Sequence, residues 1–137
     1  MEQIKVFLDT NIVLDYFTGR MGDGLAEKII QTGQTDHYRM YISVLTGINV
    51  LYIARKLNRP LTMISISELF EVLSITDNQW KNASGMKFPD PEDALQLSCA
   101  KESNCRILVT RDSHLLNCNV AGPCIMSPTE FIKTIIE

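Results

Sequence analysis

The sequence predicts a three-layer α/β/α fold on a mostly parallel sheet of four to five strands, and two patterns predict it. Short apolar runs of strand length alternate with longer stretches of helical spacing, the order expected of βαβ units. Two of those runs end at once in a polar corner, Asp9-Thr10-Asn11 and Thr110-Arg111-Asp112, where a parallel strand hands over to the next segment. At 137 residues the whole chain, 1–137, fits one domain. A domain of that size buries enough apolar surface to need neither disulfide nor structural metal.

Residues 3–8 (QIKVFL) supply the first strand, and Ile12 to Phe17 the first helix after the polar corner. Gly19 to Gly24 is a turn, and Leu25 to Gln31 a second helix with Leu25, Ile29 and Ile30 on one face. Met40 to Ile42 is a short strand. Ser43 caps a long helix to about Leu57, ended by Asn58 and Pro60, with an inward apolar stripe at Leu45, Ile48, Tyr52 and Leu57. A helix over Thr62 to Glu71, a strand over Val72 to Ile75 and a helix from Thr76 to about Ala83 follow. In Phe88-Pro89-Asp90-Pro91-Glu92-Asp93, Asp90 suits a helix cap and Pro91 the first helical position, for a helix to about Ser103. Arg106 to Val109 and Cys124 to Met126 are the last strands, and Ser127-Pro128-Thr129-Glu130 opens a final helix with a capping box.

Composition narrows the function classes. Hydrophobic residues make up 45% and charged residues 21%, which is globular and not disordered. No window approaches the roughly 18 apolar residues of a membrane span, and the start MEQIKVFLDT lacks the form of a signal peptide, so a cytoplasmic protein is expected. The net charge of −3 excludes a surface that is wholly a nucleic-acid footprint, but not a nucleic-acid substrate met by a small basic rim. Cys99, Cys105, Cys118 and Cys124 are spaced too widely for a structural zinc site and are expected as free thiols.

The chemistry lies in the acids. Ligands of a parallel α/β sheet sit outside the carboxyl ends of its strands. Asp9 and Asp112 follow two such ends, and Asp93 lies in the first turn of a helix entering from the same side. Each alone is an ordinary cap or turn residue. Together, three distant segments deliver carboxylates to one edge, where like charges repel unless a hard cation such as Mg²⁺ or Mn²⁺ joins them.

Asp-Thr-Asn after an apolar first strand, Asp-Ala-Leu opening a late helix and Val-Thr-Arg-Asp ending the next strand resemble a PIN domain. The likeness runs from Val6 to the Pro128-Thr129-Glu130-Phe131 tail. It implies an Mg²⁺- or Mn²⁺-dependent ribonuclease acting on single-stranded RNA, often the toxin of a VapC-type toxin–antitoxin pair. By resemblance Asp9, Asp93 and Asp112 are the metal ligands, with Thr10 and Asn11 shaping the turn that presents Asp9, and Thr110 and Asp90 in support. The family's second acid, six residues after the serine that caps the middle helix, is here Asn49. Helical spacing turns Asn49 inward, where its amide either bonds a neighbouring backbone or orients Asp9 or a metal-bound water.

The expected reaction is phosphodiester hydrolysis by activated water, since no serine or cysteine has an evident basic partner. A small antitoxin protein and a homodimer are the implied partners. The second reading is a catalytically weakened module that binds RNA or a protein. A phospho-acceptor signalling domain would need an adjacent acid pair after the first strand, which Asp9 lacks. Of the remaining charges, His37 and His114 read as surface residues, Glu92 as solvent-exposed and Arg111 as pairing with a neighbouring acid. Arg55, Lys56 and Arg59 read either as a basic rim or as a solvated helix end favoured by the dipole.

Overall fold

In the computed structural model, which describes residues 2–136, the elements alternate as the sequence pattern predicts. β1 (Ile4–Leu8) leads to α1 (Thr10–Thr18) and α2 (Leu25–Thr32), then β2 (Tyr38–Ser43) to α3 (Val44–Lys56) and α4 (Met63–Leu69). β3 (Glu71–Leu73) precedes α5 (Asp77–Ser84) and α6 (Pro91–Glu102). β4 (Ile107–Val109), α7 (Ser113–Leu116), β5 (Cys124–Met126) and α8 (Pro128–Ile136) complete the chain. All strand pairs are parallel, in the order β3-β2-β1-β4-β5.

Side-chain alternation along the strands builds the three layers. Val6 and Leu8 of β1 and Ile107 and Val109 of β4 face one side, against Ile12, Ile29, Val50, Ile66 and Phe131 of α1, α2, α3, α4 and α8. Phe7 and Leu108 face the other, against Leu97, Cys99 and Ala100 of α6 and Leu115 of α7. The sheet is therefore covered on both faces, with β1 at its centre.

The caps fall where expected. Ser43 Oγ accepts the Thr46 N–H at 3.2 Å, Thr76 and Gln79 form a capping box, and Ser127 and Glu130 form another at the start of α8. Asp9 and Asp112 are caps as well, of α1 and α7. Gly19 closes α1 at φ 64°, a conformation glycine adopts without strain.

The structure corrects two readings of the elements and adds one helix. β3 covers Glu71–Leu73, so Glu71 belongs to the edge strand and not to the helix before it. α7 is a single turn, too short to carry a readable period. On α3, the residues buried are Thr46, Gly47, Val50 and Ala54, while Ile48, Tyr52 and Leu57 are 50%, 59% and 50% exposed. With Val44, Met63, Ile64 and Val72 they leave an apolar surface along α3, α4 and β3. Arg55, Lys56 and Arg59 are exposed at the far end of α3, on the order of 20 Å from Ser43 by helix rise, so they rim no strand terminus. His37 is exposed ahead of β2, with its carbonyl accepting the Ile4 N–H at 2.9 Å.

Phe7 is fully buried in the centre of the sheet. Phe7→Ala should lower unfolding stability in urea by about 3–5 kcal/mol, the usual effect of emptying an aromatic core site.

Candidate metal centre

The strand order reverses direction at β1, with β2 on one side and β4 on the other, and this is where a parallel sheet opens a crevice at its carboxyl edge. Asp9 leaves β1 there, Thr110 leaves β4, and Ser43 leaves β2. α1, α3, α6 and α7 all begin on this edge, so their N–H ends and positive dipole ends point into it.

Asp9 is buried at the floor and accepts four hydrogen bonds. Oδ1 takes the Thr10 backbone N–H at 2.9 Å and Gln96 Nε2 at 3.2 Å. Oδ2 takes Thr110 Oγ1 at 2.7 Å and Asn11 Nδ2 at 3.3 Å. Burial pushes its carboxyl above the usual range, opposed by the bonds from Thr110, Thr10 and Gln96. Gln96 extends the network: Nε2 also donates to Thr46 Oγ1 at 2.7 Å and Thr10 Oγ1 at 3.2 Å, and Oε1 accepts from Ser43 Oγ at 2.6 Å. Every buried polar side-chain atom among the described residues is satisfied.

Above this floor lie Asp93 and Asp112. Asp93, one residue past the Pro91-Glu92 start of α6, is buried and its carboxyl is pushed up to about 7. Burial is the main cause, followed by a hydrogen bond with the Asp112 carboxyl and by the charges of Asp112, Asp9 and Asp90. Two carboxyls in hydrogen-bond contact require a proton or a cation between them. One ligand atom each from Asp93, Asp112 and His114 lies within 4.8 Å of the others. A Mg²⁺-like cation with bonds of about 2.1 Å sets opposite ligands about 4.2 Å apart, so this set needs little closure. Asp112 Oδ1 meanwhile accepts the His114 N–H at 2.9 Å, with His114 Nδ1 at 3.5 Å.

The donors are oxygens with one imidazole, the set a hard divalent cation takes. Cys99 and Cys105 instead pack in the core, where burial pushes their thiols up to about 12 and about 11.

Of the residues singled out from sequence, Thr10, Asn11 and Thr110 all touch Asp9, and Asp90 is an exposed cap that accepts the Glu92 N–H at 2.9 Å. Asn49 hydrogen-bonds neither to Asp9 nor to Asp93: its Nδ2 donates to Glu92 Oε1 at 2.7 Å. Glu92 is consequently half-buried and not solvent-exposed. Its carboxyl is raised by burial and by the charges of Asp9 and Asp90, against the bond from Asn49. Arg111 turns to buried Asp15, Nε to Oδ2 at 2.6 Å, and Arg20 Nε holds the other oxygen at 2.5 Å. His114, Thr46 and Gln96 were not signalled as site residues by their types. Spacing held the clue for two of them, since Gln96 lies three residues after Asp93 and Thr46 three after Ser43.

The PIN domain family profile matches residues 5–114. Several solved structures are similar, among them two that match over 90% of this chain. One is a chain of a toxin–antitoxin complex from Klebsiella pneumoniae, with TM-score 0.69 and 21% identity, covering 90% of this chain and 97% of that one. The other belongs to VapBC2 from Rickettsia felis bound to a DNA fragment from their promoter, with TM-score 0.63 and 13% identity over 90% and 98% of the two chains. No curated protein matches the sequence significantly.

The raised Asp93 gives a signed pH dependence. Between the ordinary aspartate value and about 7 the folded chain binds more protons at Asp93 than the unfolded chain. Stability without divalent metal should therefore fall as pH rises from about 4 to about 7. Thermal unfolding in chelator across that window checks it, and Asp112→Asn, by removing one carboxylate of the pair, should flatten the slope.

Proposed function

This chain belongs to the PIN-domain family, and from that premise we propose that it is an Mg²⁺- or Mn²⁺-dependent ribonuclease that hydrolyses single-stranded RNA in the cytoplasm. PIN domains are generally nucleases. The observation that carries the reading is the Asp93–Asp112 carboxyl pair above Asp9, an arrangement of acids that only a proton or a cation relieves.

Asp9, Asp93 and Asp112 would hold the cation. Of the bonds to Asp9, the one from the Asn11 amide at 3.3 Å is the longest, which makes Asn11 the donor most readily displaced. When bound, the cation supplies charge for the scissile phosphate and activates the attacking water. The protein's own hydroxyls are unsuited to attack, since those of Thr10, Ser43, Thr46 and Thr110 are buried and engaged in the Asp9–Gln96 network. Arg111 and Arg20 are anchored by Asp15 beside the acids, Arg20 also reaching the Asn11 carbonyl at 3.5 Å, and they supply the basic rim for a phosphate backbone.

Both similar structures come from toxin–antitoxin complexes, which favours a toxin role with a small antitoxin as partner. The apolar surface along α3 and α4, at Ile48, Tyr52, Met63 and Ile64, gives the antitoxin or a second copy of the chain a face to cover. Among the described residues no helix is long and apolar enough to cross a membrane. A weakened module that binds RNA without cleaving it is the second reading, favoured by the amide at position 49.

Asp9→Asn keeps the cap on α1 and removes the charge at the floor of the site. It should abolish Mn²⁺-dependent cleavage of single-stranded RNA while circular dichroism and thermal unfolding in chelator stay native-like. Cleavage at the parent rate by purified Asp9→Asn would refute the assignment. A parent that binds RNA but never cleaves it, in any divalent metal, would favour the second reading.

A further inference from the structure

The first turn of α6 presents two acids in different directions. Successive helix residues point about 100° apart. Asp93 turns to Asp112 beyond β4, whereas Glu92 turns to α3, where Asn49 holds its Oε1 at 2.7 Å. A glutamate in the second position of a helix ordinarily extends into solvent. This one is half-buried, and the strongest charge acting on it is the Asp9 carboxylate at the floor of the site. Its Oε2 has no hydrogen bond among the described residues. A helix dipole rewards an acid in the first turn but does not turn it toward α3. The amide of Asn49 does.

We infer that Glu92 is a further carboxylate of the cation site and that Asn49 is the residue that positions it. On this reading α3 carries no acid of its own at position 49 and instead aims the acid of α6. The Asn49–Glu92 bond spans the gap between the two helices and engages Oε1 alone, so Oε2 is left without a hydrogen bond among the described residues. Asn49 acts through Glu92 and touches neither metal nor substrate. The inference rests on the cation site proposed above.

The bond has a donor end on α3 and a charged end on α6, so it can be reversed. In Asn49→Glu/Glu92→Gln, the glutamine amide donates to a carboxylate now carried by α3, with the same total charge and the same pair of helices joined. Mn²⁺ binding to the whole chain is measured by titration calorimetry and by the Mn²⁺-induced shift in thermal unfolding, neither of which depends on cleavage. Glu92→Gln should weaken Mn²⁺ binding by about tenfold or more through the loss of a ligand charge. Asn49→Ala should weaken it by about tenfold through the loss of the orienting bond. The reversed double variant should recover most of the parent affinity. Asn49→Glu alone, which sets two carboxylates against each other, should unfold at a lower temperature in chelator and regain more of that loss on adding Mn²⁺ than the parent gains.

Glu92→Gln binding Mn²⁺ as tightly as the parent, while Asp9→Asn loses binding, would overturn this inference and leave the three-aspartate site intact. A parent chain that binds no Mn²⁺ would overturn both. Failure of the reversed pair to recover affinity, with a native-like unfolding temperature, would refute the positioning role of Asn49.

Discussion

A single buried carboxylate organises the functional edge of this chain. Asp9 is placed at the end of the central strand, 4% exposed, and a charge there is tolerated only if its oxygens are met by donors. Those donors come from distant segments: Thr10 and Asn11 from α1, Gln96 from α6 and Thr110 from the end of β4. Meeting them ties the register of β4 to that of β1, and the backbone repeats the tie through the Asp9 N–H to the Val109 carbonyl at 3.0 Å. Gln96 carries it on to Ser43 and Thr46, which start α3. A one-residue slip of either strand would strand a charge in the core, so the same group that makes the site also fixes the sheet around it.

Much of this was legible in the sequence because caps and strand ends are local. Ser43, Thr76, Asp90 and Ser127 announced four helices by residue type, and Asp9 and Asp112 announced two strand ends. What was not legible depends on which side of an element finds a partner. The apolar positions of α3 suggested an inward stripe at Ile48 and Tyr52, yet that stripe lies outside, because the inner face meets the polar network through Thr46 and buries Val50 and Ala54. Hydrophobic periodicity identifies an amphipathic face only where one face is wet and apolar residues fill the other. On α3, both faces depart from that rule.

The site shows the same division. Asp9, Asp93 and Asp112 follow from strand ends and a first helical turn. Glu92 and His114 do not, since nothing in their spacing separates a free surface residue from one held by a single partner. For Glu92 that partner is Asn49, 43 positions earlier in the chain. For His114 it is Asp112, the cap of the one-turn α7, beside which His114 stays exposed. Long-range polar contacts of this kind leave no periodic trace.

Most acids on this edge can be explained without a ligand. Asp9, Asp90 and Asp112 each cap a helix, and the convergence of four helix N-termini supplies positive potential that tolerates them. Capping would be served equally well by serine or threonine, as Ser43 and Thr62 serve α3 and α4. Asp93 is different. It caps nothing, it is buried, and its carboxyl meets that of Asp112, so folding alone gains nothing from its charge. Left to itself the pair holds a proton toward neutral pH, and losing that proton lowers the stability of the chain. A divalent cation in place of that proton turns the same contact from repulsive to attractive, with Asp9 behind it adding charge in the same sense. Asp93 is thus the acid whose position folding leaves unexplained and a bound cation explains.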